Sequence, residues 1–399
     1  MNRNVRVAVA SVLILGCFGN ISHAAPVVAP RVSVSLEADD NNRLTEVDGA
    51  ETEVAGAMID ARVELGTRGE TTSFVISPRV RAVSYPSESD DSTVDGFVTL
   101  AYQASGQRSQ LNIDGRYSSV VTLGRFFPSN ESEGDIGEPT PGTDIDVGDP
   151  DNRREELWLR PKASFDLSEK IGVDLGARIL DVAYERDTAS RQGYSSLSGD
   201  IGVRYRLSAT NSVAVVASAE RFEPDNSEST DSYSVYLEMA RNVSDTTELF
   251  VRAGASSVDY VDELGSVKER SSFSGGIGGK WELERSRLLL EINRYVDPTE
   301  GGELVSRTQA RGRLDYRLSE RSSFFIGVRV IDSSAGSELA DFVGSSFAAA
   351  ELGLSRKLSP SWTAFMKYEY RQRDNDAFVR KATSNAVSLG VTWAPNVQK

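Results

Sequence analysis

Six short segments of one design recur at nearly even intervals along this chain: Asp166-Leu167-Ser168-Glu169-Lys170, Arg206-Leu207-Ser208-Ala209, Asn242-Val243-Ser244-Asp245, Glu282-Leu283-Glu284-Arg285, Arg317-Leu318-Ser319-Glu320 and Lys357-Leu358-Ser359-Pro360. Their apolar residues lie 40, 36, 40, 35 and 40 positions apart. A period of this size suits a helical solenoid, a propeller blade or a pair of long strands, so the flanks must decide. On both sides of each segment apolar and polar residues alternate, which is the period of a strand whose two faces meet different surroundings. The repeating unit is therefore a hairpin of long strands joined by a tight turn.

The alternation is sharp. Ile201, Val203, Tyr205 and Leu207 share one face and Asp200, Gly202, Arg204 and Arg206 the other; Ala310, Gly312, Leu314, Tyr316 and Leu318 oppose Arg311, Arg313, Asp315 and Arg317. Val80 stands against Arg79 and Arg81, Ile59 and Val63 against Asp60, Arg62 and Glu64, and Met366, Tyr368 and Tyr370 against Lys367, Glu369 and Arg371. Read this way along the whole chain, the pattern gives eighteen strands from a short first one at 31–36 to a last one at 379–394. Tight turns alternate with longer, acidic connections, the largest at 126–153.

Alternation alone fits two architectures, because a soluble sandwich could bury the apolar face and leave the charged one in water. Strands longer than the roughly ten residues needed to cross a bilayer, strict alternation of short and long connections, and many small residues on the apolar face favour a transmembrane antiparallel up-and-down β-barrel. In such a barrel only every second strand residue meets lipid, which reconciles a membrane location with a hydrophobic content of 39%. Short turns would then lie in the periplasm and long loops outside, with both termini in the periplasm. Phe165, Trp281, Tyr316, Trp362 and Trp393, with Tyr85, Tyr117, Tyr260 and Tyr370, lie near strand ends; interfacial girdles or ordinary strand enrichment account for them equally well.

The first 24 residues read as a secretory signal peptide: Arg3 and Arg6, an apolar stretch from Val7 to Phe18, and Ser22-His23-Ala24 as a cleavage site. Cys17 offers a lipoprotein alternative, weakened by the poor Ile14-Leu15-Gly16 that precedes it. Cleavage at Ala24 would remove the only Cys and the only His of the 399 residues. Chemistry through a thiol or imidazole nucleophile and base would then be excluded, no cofactor or metal centre is expected, and an enzyme is disfavoured. The leader holds two of the 44 basic residues and none of the 59 acidic ones, so the formal charge of −15 becomes −17 without it. A chain this acidic is a poor nucleic-acid binder.

The closing strand Val387-Ser388-Leu389-Gly390-Val391-Thr392-Trp393, the Leu-Ser hairpins and the leader together resemble the type 2 putative β-barrel porins, a family often associated with exopolysaccharide secretion. That strand also resembles the alternating, aromatic-ended signal of outer-membrane assembly, from which it departs in that Ala394 to Lys399 follow the aromatic residue. The resemblance implies an outer-membrane conduit for a polysaccharide, working with a periplasmic export partner. A general or solute-specific diffusion porin is the alternative within the same architecture, and a secreted soluble β-protein or adhesin the alternative outside it. Outer-membrane lipid is the expected surrounding.

An aqueous lumen is expected at sixteen to eighteen strands. Its candidate lining residues are Arg62, Arg79, Arg81, Arg204, Arg206, Arg311, Arg313, Arg317, Lys367 and Arg371, interleaved with acids such as Asp60, Glu64, Asp315 and Glu369. Rings of basic side chains would bias such a lumen toward anions, whereas cross-strand ion pairing would make them a structural wall. The Pro128–Asp151 stretch carries eight acids and no base. It reads as a solvated acidic loop, with an inward constriction or an oxygen-ligand cation site at Asp144-Ile145-Asp146-Val147-Gly148-Asp149 as the functional alternatives.

Overall fold

The recurring serine explains itself in the turns. Ser168, Ser208, Ser319 and Ser359 each accept on Oγ the backbone N–H three residues ahead, from Ile171 (3.0 Å), Asn211 (3.1 Å), Ser322 (3.1 Å) and Trp362 (3.2 Å). Ser244 Oγ accepts from Thr246 N at 3.2 Å. The hydroxyl thereby gives that N–H a local acceptor, closer at Ser319 than the carbonyl of the same residue, to which Ser322 N also donates at 3.4 Å. The turn with Glu284 keeps the backbone closure that the serine turns also make: Leu283 N donates to Ser286 O at 2.7 Å, as Leu207 N does to Asn211 O (2.9 Å) and Leu358 N to Trp362 O (2.8 Å).

These turns link the strands of a computed structural model that describes residues 25–45, 51–88, 91–122, 149–187, 192–226, 228–261, 267–298, 304–334, 344–375 and 381–395. The strands are β1 (Ala25–Asp39), β2 (Val54–Arg68), β3 (Thr72–Ser84), β4 (Thr93–Ser105), β5 (Ser109–Thr122), β6 (Asp149–Asp166), β7 (Ile171–Tyr184), β8 (Tyr194–Arg206) and β9 (Asn211–Pro224). They continue as β10 (Thr230–Ser244), β11 (Thr247–Val261), β12 (Val267–Glu282), β13 (Ser286–Pro298), β14 (Leu304–Arg317), β15 (Ser322–Ser334), β16 (Ser345–Lys357), β17 (Trp362–Asn375) and β18 (Ala382–Trp393). Every strand pairs antiparallel with its neighbours in sequence, and β1 pairs with β18, so the 18-stranded sheet closes on itself. Closure satisfies the backbone of both would-be edges, the condition for crossing lipid with strands.

The first strand is longer than its sequence suggests, running from Ala25 rather than Arg31. Pro26 and Pro30 are tolerated because residues 25–31 pair only with β2; pairing with β18 begins at Val32. On that unpaired side a missing N–H costs no ladder bond. Of the expected large loop, 149–153 belong to β6 and residues 123–148, with most of the acidic segment, lie outside the described residues, as does the expected leader.

The two faces are separated by geometry. Side chains of next-nearest strands converge only on the concave side of a closed sheet, and the charged face is where they meet: Arg313 of β14 reaches Glu351 of β16 (3.2 Å), and Arg178 of β7 reaches Glu220 of β9 (3.0 Å). The apolar face is convex and open, with Ile201, Val215, Leu237, Ile277, Ile292 and Val328 between 45% and 58% exposed. The turn residues Leu167, Leu207, Val243, Leu283, Leu318 and Leu358 continue the convex rows and are 50% to 63% exposed.

Aromatic residues line the convex rim at the short-turn end. Phe165, Tyr205, Trp281, Tyr316, Phe324, Trp362 and Trp393 all occupy the outward rows there, with Tyr316 and Phe324 in contact at 5.3 Å between ring centroids. Tyr85 departs from the girdle expectation, since it packs at 1% exposure against Val54 and Val83. Small apolar clusters also sit on the concave side toward the long-loop end: Leu180, Val182, Tyr194 and Phe222 on β7–β9, and Leu44 with Ile331, Phe347, Ala349 and Ala382.

Candidate functional site

The concave wall is the only extended polar surface that the described strands enclose, and its charges are arranged in register. Arg62 and Arg79 stand directly opposite each other on β2 and β3, an arrangement that repels by itself. Asp60 answers Arg79 (2.9 Å) and Glu64 answers Arg62 (2.5 Å), so each cation has an anion beside it. Arg81 pairs with its cross-strand neighbour Asp95 at 2.7 Å, and Arg79 and Arg81 both lie over the Phe97 ring.

The same logic governs β13–β17. Arg311 faces Arg329 across the β14–β15 ladder and is balanced by Glu291 at 3.0 Å. Glu351 and Glu369 face each other across β16–β17, and Lys367 lies between them at 3.6 and 2.7 Å. Arg313 bonds Asp315 (3.0 Å) and Glu351 (3.2 Å) and lies over Phe325. The link to Glu351 passes over Gly327 of the intervening strand, where a Cβ would stand 2.7 Å from the glutamate side chain. Gly172 on β7 serves likewise beneath Arg204, which lies 3.4 Å from Asp166 and 3.5 Å from Asp174.

Arg206 bonds both oxygens of Asp166 at 2.8 Å, and Arg317 donates to Glu284 O at 2.6 Å. Arg371 is bound to Asp39 and to Ser384 Oγ, and both members of that pair are 1% exposed. All ten candidate residues thus occupy the concave face, and each has a partner. They form several networks around the wall rather than one constellation. Such a wall can hold water and present a mixed charge pattern to a passing solute; charge pairs of this kind contribute little net field at a distance.

Several members were not legible as site residues. Glu351, Glu291, Glu238 and Glu220 share the inward rows, and strict extension of the alternation along β16, β13, β10 and β9 would have found them. Asp39, Asn42, Arg43 and Asp91 carry no such signal, because three of them lie in connections. Asp144–Gly148 of the cation-site expectation falls outside the described residues, and so does most of the proposed constricting loop.

Comparison with known proteins fixes the family. A family model described as "Protein of unknown function, DUF481" matches residues 188–393, just over half of the chain. The chain belongs to the DUF481 family. The matched stretch of this DUF481 protein runs from the connection before β8 to the end of β18. The match does not itself reach the type 2 porins that the Leu-Ser hairpins, the closing strand and the leader resemble. No curated protein matches the chain significantly.

Among solved structures, the DUF481 chain is similar to Pseudomonas aeruginosa OpdO (12% identity, TM-score 0.46, covering 92% of this chain and 97% of that one). It is similar also to P. aeruginosa OccK2 (OpdF) in complex with glucuronate (11%, 0.45, 92% and 98%) and to Acinetobacter baumannii OccAB4 (10%, 0.45, 94% and 100%). Superpositions this loose carry no argument about what the DUF481 chain transports or binds.

Proposed function

We propose that the protein is an outer-membrane diffusion channel for small polar solutes, with a lumen mildly biased toward anions. One observation carries this reading: a closed 18-stranded ring exposes apolar side chains on its convex face and gathers its strand charges on the concave one. A soluble β-protein would hide those apolar rows, because a continuous exposed belt far exceeds the few hundred Å² usual on a monomer. A ring of eighteen strands is wide enough for an aqueous interior. The expected secretory leader and the outward aromatic residues, at the short-turn rim and, with Tyr117, Tyr233 and Phe273, toward the long-loop end, support insertion with the short turns in the periplasm and the long loops outside.

Polysaccharide export with a periplasmic partner was expected from the type 2 resemblance. The family match lies elsewhere, and the paired charges and inward clusters fit a selective passage for small solutes better than a conduit for a polymer. The ten basic residues named above would line the passage. Since each has a partner, they act mainly as wall, with the modest excess of arginine tilting selectivity.

Purified protein in planar bilayers tests this directly. The expected result is stepwise, ohmic conductance with a reversal potential in a salt gradient that favours anions slightly. Inserted, heat-modifiable protein that conducts nothing would contradict the channel reading.

A further inference from the structure

We infer that the segment Asn41–Thr45, in the connection between β1 and β2, is a fixed strut across the long-loop mouth of the barrel that sets the size limit of the passage. The inference rests on the channel reading above. Connections ordinarily run over the surface, since a buried one must satisfy every backbone group it carries. The segment 41–45 is instead largely buried, with Asn42 at 0% and Leu44 at 1% exposure.

Its polar groups are bonded at both ends. Asn42 Nδ2 donates to Asp91 Oδ2 (2.9 Å), and Arg43 donates through Nε and Nη2 to Asp91 Oδ1 (2.9 and 2.6 Å), which ties the segment to the β3–β4 connection. Asn41 Nδ2 donates to Thr383 O (3.0 Å) at the start of β18, and Arg373 Nη2 of β17 donates to Leu44 O (3.0 Å). Within the segment, Thr45 N donates to Asn41 Oδ1 (3.1 Å) and Leu44 N to Asn41 O (3.0 Å).

The apolar anchor is Leu44, which adopts φ of 52°, a left-handed conformation disfavoured for a branched side chain. That conformation directs it into a cluster with Ile331, Phe347, Ala349 and Ala382 on the inward rows of β15, β16 and β18. Five residues whose partners extend from β15 round to the β3–β4 connection lie inside the ring, as a chord over the arc that contains β16–β18 and β1–β3. The strut also roofs the Arg371–Asp39–Ser384 network, which explains how an ion pair on the wall of a wide barrel reaches 1% exposure. Passage is therefore confined to the remaining arc.

Two measurements on the whole chain, inserted in bilayers with Cys17 replaced by Ser, test the strut. In the first, residues 41–45 are replaced by a Gly-Ser segment, folding is checked by heat-modifiable migration, and single-channel conductance and the size of the largest permeant polyethylene glycol are read. Both are expected to rise, conductance by about two-fold as the cross-section opens; unchanged values would overturn the inference. In the second, Ala349→Cys is exposed to a membrane-impermeant maleimide in the otherwise intact chain. Slow labelling, at least ten-fold below a Ser87→Cys control at an exposed position of the same long-loop end, is expected. Labelling as fast as the control would show the strut unseated, even if the replacement variant failed to fold. A parent protein that conducts nothing would sink the channel reading, while the labelling still reports whether the strut is seated.

Discussion

A hydroxyl on a four-residue turn is a small device, and here it recurs in the same role. Ser208 and Ser359 each cap their own turn at opposite sides of the hairpin series, with no shared partner. Ser208→Ala and Ser359→Ala should each lower the unfolding free energy by about 0.5–1.5 kcal/mol, read from urea midpoints in vesicles. The double variant should show the sum, because distant sites add. The buried pair behaves differently. Asp39→Ala leaves Arg371 charged without its carboxylate and should cost about 3–5 kcal/mol, whereas adding Arg371→Met should recover much of the loss. A double variant no more stable than Asp39→Ala would show that Ser384 and Glu369 suffice for the guanidinium.

At the residue scale the sequence revealed which side chains turn inward but not whom they meet. Arg313 was legible as a lumen residue from the 310–318 alternation; its partner Glu351 lies two strands away, beyond anything local spacing encodes. Arg371 and Asp39 are 332 positions apart, and the chain becomes a ring only when β18 meets β1.

Strands were the most readable elements because each carries one apolar, convex face and one charged, concave face, so the alternation persists along its length. The starts of β7, β9, β15 and β17 follow from the Leu-Ser turns, and that of β11 from its Val243-Ser244 counterpart. β1 was underread because Pro26 and Pro30 signal an interruption, and the tolerance for them arises from an unpaired side that only the closed ring defines. Pro161 in β6 shows the complementary case: the β6–β7 ladder skips from Leu159 to Lys162 around it. The convex and concave rows of one strand should respond oppositely to charge. Val328→Arg, outward on β15, should destabilise the inserted barrel by about 2–4 kcal/mol, while Ser323→Arg, inward near the short-turn rim, should cost far less. Equal losses in urea titrations would argue that both rows face the same medium.

For the whole molecule, the acidic balance of the chain and the basic bias of its concave face are not in conflict, because the acids concentrate in the connections and the arginines on the inward rows. The closed sheet converts an alternating sequence into a radial separation of apolar and charged side chains, and it is that separation which makes a water-filled passage through lipid the function the fold supports. The mouth is where the sequence was silent: Asn41 to Leu44 look like an ordinary polar turn, and it takes contacts with Asp91 on one side and with β15 to β18, some three hundred residues later, on the other to make them a strut.

The central claim, that the apolar rows face lipid and the charged rows face the lumen, is tested most directly on β10. Single cysteines placed in turn from Tyr233 to Ala240, spin-labelled and inserted in bilayers, can be read for collision with oxygen dissolved in lipid and with a water-soluble nickel chelate. Positions 233, 235, 237 and 239 should favour oxygen and 234, 236, 238 and 240 the chelate, in strict alternation. A profile in which all eight positions favour the chelate, or in which the two sets are reversed, would contradict the account.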